Sequence, residues 1–189
     1  MKPLSYLALG DSYTIGEAVT QAESFPYQLQ QALSAKGIAV AEPIVIAQTG
    51  WTTDELIAAI QERKLKQTFD LVTLLIGVNN QYRGYALATY EKEFSELLQT
   101  AIAYAGGDPN KVRVISIPDW GVSPFAEKEG RDAAQVAEEI DAYNALNKLI
   151  SMAARVSYID ITLHSRLAST DLSLLAADGL HPSGKMYAE

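Results

Sequence analysis

The chain contains no cysteine, which removes disulfides, thiolate nucleophiles and cysteine metal sites at once. It has no run rich in lysine and arginine: 15 basic side chains stand against 23 acidic ones, a formal net charge of −8. Nucleic acid and anionic membrane surfaces are therefore not the expected partners. No apolar stretch approaches the roughly 20 residues needed to cross a bilayer, so no stable membrane insertion is expected. Neither G-x-G-x-x-G nor the Walker A pattern occurs, which leaves nucleotide binding without support. The amino terminus lacks signal-peptide anatomy, since the first strand begins by Leu4. That favours a cytoplasmic protein, although an exported or periplasmic one whose signal had been removed would look the same.

What is present fits an ordinary globular protein. With 189 residues, 48% hydrophobic and 20% charged, the chain reads as one domain over residues 1–189. A domain of that size buries about 70% of its unfolded surface. There is no internal repeat, linker or low-complexity tract. Lys185-Met-Tyr-Ala-Glu189 stops where a helix is starting, so a truncated carboxyl terminus is one reading of the domain.

Apolar runs alternate with glycine-marked breaks. The run from Leu4 to Leu9 has the continuous character of a buried parallel strand and breaks at Gly10-Asp11-Ser12. Gly10 is expected to end it by adopting a backbone conformation that other residues resist. A helix is expected from near Ser24, with Phe25, Leu29, Ala32 and Leu33 on one face, Pro26 in its first turn and Gly37 as its stop. Further strands are expected at Ile44–Ala47, Leu71–Ile76, Val112–Ile117 and Val156–Ile161. A capping box, Thr52-x-x-Glu55, opens a short helix with Leu56, Ile57 and Ile60 buried. Thr89 is expected to cap a helix bearing Phe94, Leu97, Leu98, Ala101 and Ile102. A long loop, Pro118 to Gly130, then precedes a helix with Val136, Ile140, Tyr143, Leu146 and Ile150 inward. Strands alternating with helices predict a three-layer α/β domain with a parallel sheet and right-handed crossovers.

In such a fold, the loops that lead from strands into helices open on one side of the sheet, where ligands bind. Here they carry Gly10-Asp11-Ser12, Gly50, Gly77-Val78-Asn79-Asn80 and, near the end, Asp178-x-x-His181. An acyl-transfer site needs a nucleophile, a base, an acid that orients the base, and donors for the developing oxyanion. Ser12 can be the nucleophile, His181 the base and Asp178 its partner. The amides of Ser12 and Gly50, with the Asn79 carboxamide, can form the oxyanion hole. Each residue also has a bland reading. Gly50 and Gly77 fit turn glycines, Asn79 and Asn80 fit turn residues, Ser12 a helix cap, and Asp11 a cap or loop brace. Those readings do not explain why all four blocks occur in this order.

The same blocks resemble those of the SGNH hydrolases, also called GDSL esterases/lipases, and the match in order and spacing covers nearly the whole chain. The resemblance implies a flavodoxin-like, five-stranded sheet of order 2-1-3-4-5 and metal-free ester hydrolysis with no cofactor. It also implies catalytic Ser12, Asp178 and His181, with an oxyanion hole of Ser12, Gly50 and Asn79. Two positions depart from the family pattern. Tyr13 stands where leucine is usual, and Asn80 where the third block usually has aspartate.

Trp51, Tyr82, Arg83, Asp119 and Trp120 leave the same sheet edge and, with Tyr13 and Asn80, are the candidates for substrate binding. His164 has only Asp160, four residues earlier, as a nearby acid, and is expected at the surface or beside the site. The expected function is hydrolysis of a small-molecule ester. Small or sugar-borne acyl groups are favoured, because no extended apolar lid is visible. The alternatives are a lysophospholipase or thioesterase for longer chains, a metal-dependent phosphoesterase using Asp11, Asp178 and His181, and a non-catalytic ligand-binding domain of the same fold. No feature points to an oligomeric state.

Overall fold

The computed structural model describes residues 2–189. Strand β1 (Tyr6–Gly10) is buried along its whole length. A single turn, α1 (Ser12–Ile15), and the helix α2 (Phe25–Ala35) follow it. Strand β2 (Ile44–Ala47) leads to α3 (Thr53–Arg63), and β3 (Leu71–Leu75) to a short α4 (Val78–Tyr82) and a long α5 (Leu87–Tyr104). Strand β4 (Val112–Ile115) is followed by α6 (Pro124–Lys128) and α7 (Ala133–Ala153). Strand β5 (Ser157–Ile159), α8 (Thr162–Ser165) and α9 (Gly184–Ala188) complete the order.

All five strands are parallel, in the order β2-β1-β3-β4-β5. The register matters for the site. Gly10 stands opposite both Ala47 and Leu75, so β1, β2 and β3 end level and their loops leave from one line. The pleat of β1 divides two cores. Leu7 and Leu9 join the larger one, under the packed layer of α3, α5 and α7, while Tyr6 and Ala8 face Leu29 and Leu33 of α2. Burying a leucine as completely as Leu7 or Leu97 contributes about 1.5–3 kcal/mol.

Several local expectations are revised. Helix α5 begins at Leu87 rather than behind a Thr89 cap, because the Thr89 and Tyr90 amides already bond to the Ala86 carbonyl. The stretch from Pro118 to Gly130 is not wholly loop: the Ser123 hydroxyl accepts the Ala126 amide and Pro124 opens α6. On α2 only part of the expected apolar face is covered. Ala32 is exposed and, with Leu29, borders an open apolar groove of about 930 Å³ that runs past Ile159 to Met186. Gly10 does not have a positive φ; its requirement is space, since a Cβ there would lie 2.1 Å from Thr14 Oγ1 and 2.4 Å from the Leu75 carbonyl oxygen.

Candidate active site

Ser12 is the first residue of α1, at the end of the buried strand β1. Asp11 caps the turn, its Oδ1 accepting the Tyr13 amide at 3.0 Å. Its other oxygen, Oδ2, is buried without a hydrogen-bond partner among the described residues. Burial pushes this carboxyl up to about 7, against the lowering effect of the Tyr13 N–H. Asp11 therefore serves as the cap and brace of the loop that presents Ser12.

The β2–α3 and β3–α4 loops are tied together. Gly50 has φ +84°, the left-handed region that favours glycine, and a Cβ there would have room. The Asn79 carboxamide donates to the Trp51 carbonyl at 2.9 Å, and Arg83 Nη2 donates to the Gly50 carbonyl at 2.6 Å. Asn80, fully buried, accepts the Thr53 amide at 3.1 Å and donates to the Thr53 hydroxyl at 2.6 Å. The Thr53 hydroxyl in turn donates to Glu93. Three residues of the Asn79–Arg83 segment thus fix the backbone at Gly50, Trp51 and Thr53. An amide NH₂ carries two donors, so the Asn79 bond to Trp51 leaves one for a ligand.

The Asp178–His181 segment brings its last two residues, Leu180 and His181, to the same place, with Asp178 behind the imidazole. His181 Nδ1 lies 2.6 Å from Asp178 Oδ2, and Asp178 Oδ1 accepts the backbone N–H groups of Leu180 and His181, each at 3.0 Å. Burial alone would raise the Asp178 carboxyl. The hydrogen bonds from the imidazole and the two amides outweigh it and hold the group below the usual carboxylate range. The segment is anchored from outside as well: the Ala176 amide donates to the His181 carbonyl at 2.7 Å, and the Phe125 amide to the Gly179 carbonyl at 3.2 Å.

Ser12, Gly50, Asn79 and His181 line one cavity of about 190 Å³. Of the residues expected to bind substrate, Tyr13, Tyr82 and Trp120 line it too. Tyr13 packs on the imidazole with ring centroids 5.6 Å apart. Trp51, Asn80, Arg83 and Asp119 do not line it. Trp51 packs against the main core, Asn80 and Arg83 brace the neighbouring loop, and the buried Asp119 carboxylate pairs with Arg166 Nε at 2.8 Å and accepts the Gly121 amide. His164 lies 3.0 Å from a Glu189 carboxylate oxygen, whereas Asp160 instead accepts the Thr162 amide. Four lining residues were not anticipated: Thr49, Val78, Phe125 and Leu180. Three of them carried a readable signal, since each adjoins or lies inside a glycine- or histidine-bearing block. The larger groove bordered by α2 contains neither Ser12 nor His181. Among the described residues, no three His, Asp or Glu side chains are grouped as metal ligands.

The chain matches the model of the GDSL-like lipase/acylhydrolase family over residues 8–189. It belongs to that family. As a GDSL-like acylhydrolase it is an ester-hydrolysing enzyme. Its fold is shared with a lipase/acylhydrolase from Enterococcus faecalis, at TM-score 0.73 and 22% identity over 97% of this chain and 89% of that one. AlinE4, an SGNH-hydrolase family esterase, superposes at TM-score 0.72 with 18% identity over 98% of this chain and 89% of its own. The lipase Lip_vut3 from a goat rumen metagenome gives TM-score 0.73 and 21% identity over 98% and 92%. No sequence among the curated proteins matches this GDSL-like chain.

Proposed function

We propose that this protein is a serine esterase that cleaves small acyl groups from their alcohols. The observation that carries the reading is the convergence of Ser12, His181, Gly50 and Asn79 on one cavity, with His181 Nδ1 already committed to Asp178. That bond leaves Nε2 as the proton-accepting nitrogen. Ser12 Oγ attacks the acyl carbon as His181 Nε2 takes its proton, and Asp178 stabilises the imidazolium. The carbonyl oxygen becomes an oxyanion held by the amides of Ser12 and Gly50 and by Asn79 Nδ2. Collapse of this intermediate expels the alcohol, which receives the proton from His181. Water then attacks the acyl-enzyme with the same histidine as base, and the acid departs.

The size of the cavity supports a small acyl group. At about 190 Å³ it is below the roughly 300–1,000 Å³ of drug-sized ligand pockets. Acetylated sugars and short-chain esters fit this reading better than lysophospholipids or long thioesters.

The test is hydrolysis of p-nitrophenyl acetate in EDTA by the wild type, Ser12→Ala and His181→Ala. Turnover by the wild type, with both variants down by about 10³-fold or more, supports the reading. Loss of wild-type turnover in EDTA, or retention of it in Ser12→Ala, contradicts it.

A further inference from the structure

The lining of the cavity that holds Ser12 includes three mutually packed aromatic residues, Tyr82, Trp120 and Phe125. Trp120 is the central one. It packs edge-on against Tyr82 at a centroid separation of 5.4 Å and against Phe125 at 6.2 Å. Its indole is only 3% exposed, and its position is set from two directions.

From the side chain, Nε1–H donates to Gln81 Oε1 at 2.8 Å, and Gln81 Nε2 donates to Glu139 Oε2 at 2.6 Å. The Arg131 guanidinium lies 5.0 Å from the Tyr82 ring centroid and 5.9 Å from that of Trp120, covering the pair. From the backbone, the neighbouring Asp119 amide donates to the Ser165 hydroxyl at 2.9 Å, and the Asp119 carboxylate holds both the Gly121 amide and Arg166. Gly121 has no room for a side chain, because a Cβ would come within 2.8 Å of Val136 Cβ. The indole is thus held at its nitrogen, by both neighbouring rings and through both flanking residues, which is the setting of a packed wall rather than of a lid.

We infer that Trp120 is the specificity-determining residue of this enzyme, setting the upper size limit of the acyl group that enters the cavity. The inference rests on Ser12 and His181 being the esterase machinery proposed above. It assigns the limit to one buried side chain and predicts that shortening that side chain opens the site to longer acyl esters.

The experiment compares kcat/KM for p-nitrophenyl acetate, butyrate and octanoate in the wild type, Trp120→Ala and Trp120→Phe, with folding checked by circular dichroism. Wild-type labelling by a fluorophosphonate runs alongside. The wild type should favour acetate or butyrate over octanoate. Trp120→Ala should raise the octanoate-to-acetate ratio by at least tenfold, in line with the ~10–200-fold discrimination that a hydrophobic pocket exerts per methylene. Trp120→Phe keeps an aromatic ring in place and should raise the ratio by a smaller factor, about threefold. It decides the matter if the alanine variant does not fold. A ratio within twofold of the wild type in the folded variants overturns the inference while leaving the esterase reading intact. A wild type that already prefers octanoate overturns both the inference and the small-acyl preference, while leaving the serine mechanism intact. A wild type that neither labels nor turns over any ester overturns the inference and the esterase reading together.

Discussion

His181 Nδ1 lies 2.6 Å from Asp178 Oδ2, while the other oxygen of the same carboxylate takes the histidine's own backbone N–H at 3.0 Å. The Asp178 carboxylate therefore holds the imidazole from two sides, and a proton on Nδ1 leaves Nε2 as the nitrogen proposed to take the serine proton. In Asp178→Asn the Nδ2 amide would donate where the carboxylate accepts, favouring the wrong tautomer. The expected loss in kcat is on the order of 10³- to 10⁴-fold with little change in melting temperature, read from p-nitrophenyl acetate kinetics. A loss under tenfold contradicts the role.

Asn79→Ala removes the carboxamide proposed for the oxyanion hole. One such donor is worth about 3–4 kcal/mol of barrier, so turnover should fall on the order of 10²- to 10³-fold. The same variant also frees the Trp51 carbonyl. Kinetics and thermal melting should be measured together, and a loss under threefold removes Asn79 from the mechanism.

Asn80 replaces the aspartate usual in the family's third block, and its surroundings explain how the amide fits. It accepts the Thr53 amide with one end and donates to the Thr53 hydroxyl with the other, at full burial. Asn80→Asp removes the donor and buries a carboxyl beside a hydroxyl that already donates to Glu93. The variant should be destabilised by about 1–3 kcal/mol in denaturant titrations. Burial raises the folded pKa of a new carboxyl, so stability is lost as pH rises and the penalty should be larger at pH 8 than at pH 5. An unchanged denaturation midpoint at both values contradicts this account.

Asp11 gives a second pH signature. Its carboxyl is raised by burial from 3.8 to about 7. The folded protein thus keeps a proton that the unfolded chain releases. The resulting stability is fully present below about 3.8 and is lost as pH rises through about 7. Asparagine retains the acceptor for the Tyr13 amide and cannot ionise. The melting temperature of Asp11→Asn relative to wild type should therefore increase between pH 5 and pH 8. A pH-independent difference would contradict a buried, titrating Asp11.

Three of the four loops were legible because glycines mark the strand ends and a parallel sheet sends those loops to one side, and the fourth because Asp178 and His181 stand three residues apart near the end of the chain. The reason for a given glycine was less legible. Gly50 does adopt a positive φ, whereas Gly10 is needed because Thr14 and the Leu75 carbonyl crowd it. Periodicity shows that one face of α2 is apolar but not which element covers it, so the open groove between α2 and Ile159 was not foreseeable. Side-chain partners distant in sequence were also hidden. Asp119 was read as a pocket residue, yet its carboxylate is taken by Arg166, 47 positions later. Trp120 is held by Gln81, 39 positions earlier. Composition and spacing carry no record of such pairs, which depend on how β4, α4 and α8 are brought together.

The most direct measurement is the intact mass and peptide map of the protein after reaction with a fluorophosphonate. A single stoichiometric adduct on Ser12 is expected in the wild type, none in Ser12→Ala, and greatly slowed labelling in His181→Ala. An adduct on another residue, or equal labelling of the wild type and Ser12→Ala, would contradict it.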